Sequence, residues 1–399
     1  MAVGIIAEYN PFHVGHAYQI AQIKKVSGAE VVAVMSGSFT QRGEPAILDK
    51  WTRARLAVLG GVDLVLELPF VSAVRSAQDF ARGGVRLLES LGVVDTLAFG
   101  AELADLSTLQ RAAAAFAEES FAEELRRLMS QGTSYAAAVT KILSSVTRLD
   151  EKLLRQPNTI LAIEYLRALP EKISPLIIER VGAAYDDLTL HERFSSASAI
   201  RAAIRQESPL WDKISACVSA ETLDALRTAE PVDEKFLFRP IIAKLLTARV
   251  EELQKIYGMT EGLEFRLLNA AAAKNFRELV TALIGRRYIA SRVRRLLLYF
   301  LLNVTAEEVA ELDATTCARV LAFNERGRAL LRKISAPIVT KLTKHLNRRD
   351  LYERRRPLEP YQKILLLDVL ATNLRGLLFQ TPRPMQKDFA TPPTFIRFT

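Results

Sequence analysis

The stretch that decides the fold is VGIIAEYNPFHVGH, residues 3–16. Residues 3–7 form an apolar run typical of a buried strand, and residues 16–25 have the pattern of a helix. Between them stands the motif His13-Val14-Gly15-His16, where the strand ends and the helix begins. The N-terminus of a helix presents free backbone N–H groups and a positive dipole, which favour phosphate. The stretch therefore predicts a strand–helix unit that binds a phosphorylated ligand.

The first half of the chain continues this alternation. Buried strands are predicted at residues 31–35, 62–68, 96–99 and 177–180, helices at residues 51–59 and 79–91, and peripheral helical structure at residues 102–150. Strands that alternate with helices indicate an α/β fold with a doubly wound parallel sheet. Ligands of such sheets bind at the carboxyl ends of the strands, where Glu8, Ser36 and Gly100 stand.

Strand signals fade after residue 205. Helical periodicity is present at residues 241–257, 263–284, 290–302, 317–334 and 363–378. We therefore predict two domains, an α/β domain over residues 1–205 and an all-α domain over residues 206–399.

The charge is distributed unevenly between these halves. The net charge is +9, yet the first 205 residues hold 22 Lys+Arg and 23 Asp+Glu, whereas the rest hold 32 and 22. A neutral half joined to a basic half suggests that the basic half faces a polyanion. A basic surface that is merely solvated remains the alternative.

Two arginine clusters in the basic half each surround a tyrosine. One comprises Arg286, Arg287, Arg292, Arg294 and Arg295 around Tyr288, and the other comprises Arg348, Arg349, Arg354 and Arg355 around Tyr352. Arginine neutralises phosphates and tyrosine stacks on bases, so both clusters are candidate RNA-binding residues. A solvated helix face is again the alternative.

Composition excludes several other classes of protein. The two cysteines, Cys217 and Cys317, are too far apart in sequence for a disulfide framework or a zinc site, and no metal site is predicted. No run of about twenty apolar residues could span a membrane, and the N-terminus lacks the features of a signal peptide. We expect a cytoplasmic protein with no membrane association and no obligate protein partner.

Two motifs supply groups for phosphate chemistry. His13 and His16 can donate hydrogen bonds to charge that develops on phosphoryl oxygens, and Gly15 lets a nucleotide approach the backbone. Downstream, a helix start contributes the candidate phosphate ligands Ser195, Ser196, Ser198 and Arg201. The alternatives are that the histidines are turn and cap residues, and that Ser195 or Ser196 is only an N-cap.

The two motifs together resemble those of the nucleotidylyltransferase superfamily, in which HxGH is the HIGH motif. The segments EYNPFHVGH at residues 8–16, VMSGSF at 34–39, QRGEPA at 41–46 and GVDLV at 61–65 resemble, more specifically, the bacterial tRNA(Met) cytidine acetate ligase family. The similarity extends along the whole chain and is strongest through residue 100.

This resemblance implies an ATP-dependent reaction. Acetate and ATP would form acetyl-adenylate, and the acetyl group would pass to N4 of the wobble cytidine of elongator tRNA(Met), giving N4-acetylcytidine. ATP is then a substrate, with Mg²⁺ expected on its phosphates, and residues 1–205 and 206–399 become the catalytic and tRNA-binding domains. A nucleotidylyltransferase acting on a small phosphorylated cofactor precursor is the alternative enzyme, and an RNA-binding module with a relic nucleotide fold is the alternative without catalysis.

The resemblance also implies which residues form the ATP site. They are Ala7, Glu8, Tyr9, Asn10, Pro11, Phe12, His13, Val14, Gly15, His16, Ile20, Gly100, Asn158, Arg180, Ser195, Ser196, Ser198 and Arg201. Gly100 could instead form a plain strand-end turn, Asn158 could be a helix N-cap, and Arg180 could be a surface arginine. Ser198 departs from the threonine of the family, although either hydroxyl serves. In the loop of residues 36–50, Ser38, Arg42 and Lys50 are candidate contacts for acetate or for the tRNA end of the site, with an ordinary solvent loop as the alternative.

Overall fold

The computed structural model of the protein describes residues 1–180, 189–191, 194–260, 262–285, 287–353, 357–383 and 385–398. Three of the candidate RNA-binding arginines, Arg286, Arg354 and Arg355, lie outside the described residues. Within the described part of the chain, no helix is both long enough and apolar enough to cross a membrane.

One mixed sheet organises the protein. Its strands in chain order are β1 Ala2–Ala7, β2 Glu30–Ser36, β3 Leu64–Leu68, β4 Val94–Ala101, β5 Ser174–Glu179, β6 Ala318–Phe323, β7 Ile338–Val339 and β8 Thr394–Phe395. The spatial order is β5-β4-β1-β2-β3-β6-β7, with β8 beside β6. Strands β1 to β5 pair in parallel, which confirms the predicted α/β class and all five predicted strands.

Helices connect and cover these strands. Those of the first half are α1 Val14–Ser27, α2 Lys50–Leu59, α3 Phe70–Ala73, α4 Ala77–Ser90, α5 Leu106–Ala115, α6 Glu119–Ser130, α7 Tyr135–Thr147, α8 Glu151–Leu154, α9 Pro157–Ala168 and α10 Ala197–Ile204. Those of the second half are α11 Trp211–Ser215, α12 Ala220–Thr228, α13 Phe238–Leu245, α14 Val250–Leu253, α15 Leu263–Asn269, α16 Phe276–Leu283, α17 Ala290–Leu302, α18 Ala306–Leu312, α19 Glu325–Leu331, α20 Pro360–Gly376 and α21 Lys387–Ala390.

The prediction that the second half is all-α is wrong. It contributes β6, β7 and β8 to the sheet, and β6 pairs antiparallel with β3. Residues 317–334, predicted as one helix, are strand β6 followed by helix α19. A short apolar run has no periodicity that separates a buried strand from a buried helix, and β6 is buried along most of its length. The division into domains at residue 205 stays a prediction.

Alternating side chains of the strands build two cores. Val32 and Val34 of β2 join one apolar cluster with α4, whereas Val31 and Met35 join another with α1 and α2. Successive side chains of a strand point to opposite faces of the sheet. Helices therefore cover both faces, and the edge of the sheet at the carboxyl ends of the strands is left for the connecting loops.

Candidate active site

The site lies where the order of the strands reverses. β1 pairs with β2 on one side and with β4 on the other, so the loop from β1 to α1 opens into the crevice between them. Gly100 stands near the end of β4, and Arg180 directly follows β5. A Cβ built on Gly100 would lie 3.1 Å from Cγ of Arg180, so the absence of a side chain at Gly100 gives Arg180 its place.

His13 and His16 form a reciprocal cap at the start of α1. Nδ1 of His13 accepts a hydrogen bond from the Gly15 N–H (3.0 Å), and Nδ1 of His16 accepts one from the His13 N–H (3.2 Å). The imidazole rings stack with their centroids 3.7 Å apart. Since Nδ1 is the acceptor in each ring, the neutral tautomer carries its proton on Nε2. The motif therefore presents two Nε2–H donors side by side.

The surroundings keep both imidazoles neutral. Burial, together with the positive charge of Arg180, lowers the pKa of His13 to about 3. Burial, His13 and Arg180 also place the pKa of His16 well below its ordinary value. The rings therefore act as hydrogen-bond donors at neutral pH, whereas Arg180 supplies a full positive charge beside them.

Aromatic side chains fix the orientation of His16. The ring of Tyr9 meets it edge-on at a centroid distance of 4.9 Å, and the ring of Phe12 lies 5.5 Å from it. Tyr9 has a φ of 47°, in the left-handed region, so the chain turns sharply where it leaves β1. This turn brings the aromatic rings and the histidines together.

Arg53 of α2 holds the edge of the sheet in place, a role that the sequence analysis missed. Its fully buried guanidinium donates to the carbonyls of Glu8 (2.5 Å), Leu48 (3.2 Å) and Ser36 (3.0 Å), and also to that of Gly37. The ends of β1 and β2 are thereby tied to one helix. An arginine at i−3 and i−4 from the buried Leu56 and Ala57 is the sequence signal that could have identified it.

Gln41 is held at three points beside this edge. Its N–H donates to Oε1 of Glu8 (2.7 Å), its carbonyl accepts from Nη1 of Arg295 (3.2 Å), and its Nε2 donates to the carbonyl of Arg75 (2.8 Å). Gly43 has a φ of +77°, and a Cβ there would lie 2.8 Å from the backbone N of Arg295. The loop of residues 38–46 is therefore seated on α17 and is an ordered wall of the site rather than a solvent loop.

The structure brings part of the second motif to the first. Arg201 donates to the carbonyl of Asn10 (2.8 Å) and lies 3.4 Å from Glu44 and 3.3 Å from Oγ of Ser198. Ser196 is the N-cap of α10 and accepts from the Ala199 N–H. Arg201 and Ser198 thus lie beside the loop that carries His13, while Ser196 makes the cap foreseen as its alternative role.

The hydroxyl of Ser195 already forms hydrogen bonds with the neighbouring backbone. Its Oγ accepts from the N–H of His191 (2.8 Å) and donates to the carbonyl of the same residue (3.1 Å), and Sγ of Cys217 lies 3.3 Å away. A phosphate contact from this hydroxyl would compete with these bonds.

Asn158 is tied to the end of β4. Its Nδ2 donates to Oε1 of Glu102 (2.6 Å), and the hydroxyl of Thr159 donates to Oε2 of the same carboxylate (2.9 Å). The N-cap of α9 is Gln156, so the alternative N-cap role of Asn158 is wrong. Glu102 thus holds the start of α9 two residues after Gly100.

Lys50 and Ser38, the predicted acetate contacts, are engaged by other side chains of the protein, which argues against that role. Nζ of Lys50 is fully buried, 2.7 Å from Oε1 of Glu67 and 2.6 Å from Oδ1 of Asp388. Oγ of Ser38 lies 3.0 Å from the hydroxyl of Thr372 in α20, and the residue is buried. Both side chains face the second half of the protein because α20 and α21 pack over them. Arg42 is half-buried and remains a candidate.

The cluster around Tyr288 also requires correction. Tyr288 is buried, donates to the carbonyl of Thr260 (2.9 Å) and has the guanidinium of Arg292 over its ring, so no base can stack on it. Arg294 donates two hydrogen bonds of 2.8 Å to the carboxylate of Glu234, and Arg295 donates one to the carbonyl of Gln41. Arg287 remains exposed, as do Arg348 and Arg349 beside Tyr352, whose side chain is 70% exposed.

Known proteins resemble this chain along its whole length. The family described as HIGH Nucleotidyl Transferase matches residues 1–389. The tRNA(Met) cytidine acetate ligase of Caldanaerobacter subterraneus subsp. tengcongensis is 37% identical over 98% of both chains. That of Acetivibrio thermocellus is also 37% identical, over 95% of both chains.

Two crystal structures of Thermotoga maritima TmcAL resemble the fold. The apo form superposes with a TM-score of 0.89 at 32% identity, and the form bound with alpha-thio ATP with a TM-score of 0.87 at 31% identity; both matches cover 100% of each chain. With a mainly parallel sheet, an HxGH motif at its switch point and relatives matched almost from end to end, the chain belongs to the tRNA(Met) cytidine acetate ligase family of HIGH nucleotidyl transferases.

Proposed function

We propose that the protein is an ATP-dependent tRNA(Met) cytidine acetate ligase. It activates acetate with ATP to acetyl-adenylate and pyrophosphate, and then transfers the acetyl group to N4 of the wobble cytidine of elongator tRNA(Met), with release of AMP. The observation that carries the proposal is the stacked pair of neutral imidazoles at the start of α1. The proposed substrates, acetate and a cytidine of tRNA(Met), are inferred from the names of the relatives.

The chain's own residues fit the first step. A carboxylate oxygen of acetate attacks the α-phosphorus of ATP, and the bond from that phosphorus to the bridging oxygen of pyrophosphate breaks. Negative charge grows on the equatorial oxygens and on the leaving group. The charge on the equatorial oxygens would be stabilised by the Nε2–H groups of His13 and His16 and by the N-terminus of α1. The charge on the pyrophosphate would be stabilised by Arg180 and Arg201. The imidazoles need no change of protonation for this role.

Mg²⁺ would arrive with ATP, because ATP phosphates usually carry it and Mg²⁺ keeps several of its waters. The cytoplasm is the proposed location, since it contains tRNA, ATP and acetate. A nucleotidylyltransferase acting on a phosphorylated cofactor precursor would use the same histidines, but both relatives are named as tRNA(Met) cytidine acetate ligases.

Isotope exchange tests the first half-reaction. We expect acetate to drive exchange of labelled pyrophosphate into ATP without tRNA, because positioning and charge at the sheet edge suffice for in-line attack. Addition of tRNA(Met) should then yield N4-acetylcytidine, detected by mass analysis of its nucleosides, and acetyl-coenzyme A should not replace acetate and ATP. Exchange that strictly requires tRNA would contradict a complete site in the first half. Acetylation from acetyl-coenzyme A alone would contradict the proposal that acetyl-adenylate is the intermediate.

The exposed pair Arg348 and Arg349 is the revised candidate for tRNA phosphates. We expect the double alanine variant to bind tRNA more weakly and to lower the slope of log affinity against log salt by about 0.7–0.9 for each lost contact. Acetate-dependent exchange should persist. The matched control is the double alanine variant of Arg126 and Arg127, an exposed adjacent pair on α6 in the neutral half. Equal slopes for both double variants and the parent would show that the 348–349 pair is only solvated.

A further inference from the structure

We propose that Glu8 is the general base of the transfer step, accepting the proton that the cytidine amino group loses as it is acetylated. This inference rests on the proposed function and assigns the second half-reaction to a carboxylate that takes no part in the charge stabilisation proposed for the first.

Glu8 lies at the centre of the sheet edge formed by the carboxyl ends of the strands. It directly follows β1, the strand between β2 and β4, and its carbonyl is held by Arg53. Oε1 is fixed by the Gln41 N–H at 2.7 Å. Among the described residues, no hydrogen bond to Oε2 is found, and Glu8 is only partly buried. The carboxylate is thus held at one oxygen and open at the other, at the edge where the substrates meet.

The amine requires such a group. The lone pair of N4 attacks the carbonyl carbon of acetyl-adenylate, the C–N bond forms, and the bond from that carbon to the phosphate oxygen breaks as AMP leaves. N4 becomes cationic during the attack and must lose one proton. That proton passes to Oε2 of Glu8 and then to solvent, so the step closes with N-acetylated cytidine, AMP and a restored carboxylate. A positioned base of this kind typically accelerates reactions by about 10²–10⁴-fold.

The surroundings of Glu8 strengthen it as a base. Burial raises its pKa, while the Gln41 N–H and the charges of Arg201 and Arg42 oppose the rise and Glu44 adds to it. Arg53 of α2 and Tyr165 of α9 also sense its charge. A carboxylate with a raised pKa is a stronger proton acceptor as long as it remains ionised at the working pH.

The isosteric substitution Glu8→Gln separates this role from a structural one. Its amide oxygen can still accept from the Gln41 N–H, so the loop stays seated, but the side chain can no longer take a proton. We measure acetate-dependent pyrophosphate exchange and acetyl transfer to tRNA(Met) in the same preparations. The ratio of transfer to exchange should fall by about 10²-fold or more. In the parent, the transfer rate should also fall as pH drops through the pKa of Glu8, and the variant should lack this acid limb.

The matched control is Glu119→Gln, which neutralises an exposed carboxylate at the start of α6 and should keep the parental ratio. A Glu8→Gln variant with the parental ratio and the parental acid limb would overturn the base assignment alone, since the parent's exchange would still support acetate activation. A parent that shows neither exchange nor transfer would overturn the proposed function, and the role of Glu8 with it.

Discussion

Replacing His16 with alanine should lower the rate of acetate-dependent pyrophosphate exchange by about a hundredfold or more. One donor aimed at developing phosphoryl charge contributes on the order of 3 kcal/mol to the transition state. The substitution removes the Nε2–H donor, the ring that stacks on His13, and the Nδ1 atom that accepts from the His13 N–H. The measurement is exchange under saturating ATP and acetate, with thermal unfolding followed in parallel.

A control variant isolates the effect of the site. His345 is half-buried in the second half of the chain, where its ring meets Tyr361 edge-on, so His345→Ala should keep the parental exchange rate. His16→Asn would restore a polar donor but not the stacked ring, and should recover part of the lost rate. A folded His16→Ala variant with near-parental exchange would remove His16 from the mechanism.

Replacing Arg53 with alanine should destabilise the protein by about 3 kcal/mol or more, because it leaves several buried carbonyls without donors. These carbonyls belong to Glu8, Ser36, Gly37 and Leu48, at the ends of two strands and in the loop beside them. Burial lowers the pKa of Arg53 only to about 10, so the guanidinium stays charged and its carbonyl contacts are charge-assisted. Denaturant unfolding measures the loss as a fall in the transition midpoint.

Arg55 provides the matched control, since it lies on the same helix two residues away but is exposed. Arg55→Ala should leave the midpoint where it is in the parent. If the two alanine variants unfolded at the same denaturant concentration, Arg53 would not be the tie between the strand ends that its contacts indicate.

The structure changes the interpretation of the basic residues most. The sequence groups Arg294 and Arg295 in a candidate RNA-binding cluster, yet Arg294 pairs with Glu234 and Arg295 donates to the carbonyl of Gln41. Lys50, a candidate contact for acetate in the sequence analysis, lies in a buried cluster with Glu67, Arg319 and Asp388. The charge and spacing of these residues mark them as candidates for function, but they do not predict which oppositely charged residue will pair with each of them in the folded protein.

The sequence by itself determined those features that depend on residues close together in the chain. The apolar run of β1, the start of a helix at the HxGH motif and the helical periodicity of residues 290–302 each arise from residues close together in the chain, so their patterns are visible in the sequence. The likeness of residues 8–16 to a known family added the reaction, which no periodicity contains.

Only the tertiary structure decided which distant residues meet. Gln41 and Arg295 are 254 positions apart, Lys50 and Asp388 are 338 apart, and β6 joins β3 across the whole middle of the chain. A short buried strand has no period of its own to separate it from a helix, and a charged side chain has no local signal for its partner. Both are decided when packing excludes water and each buried polar group must find a complement among the groups that the fold brings to it.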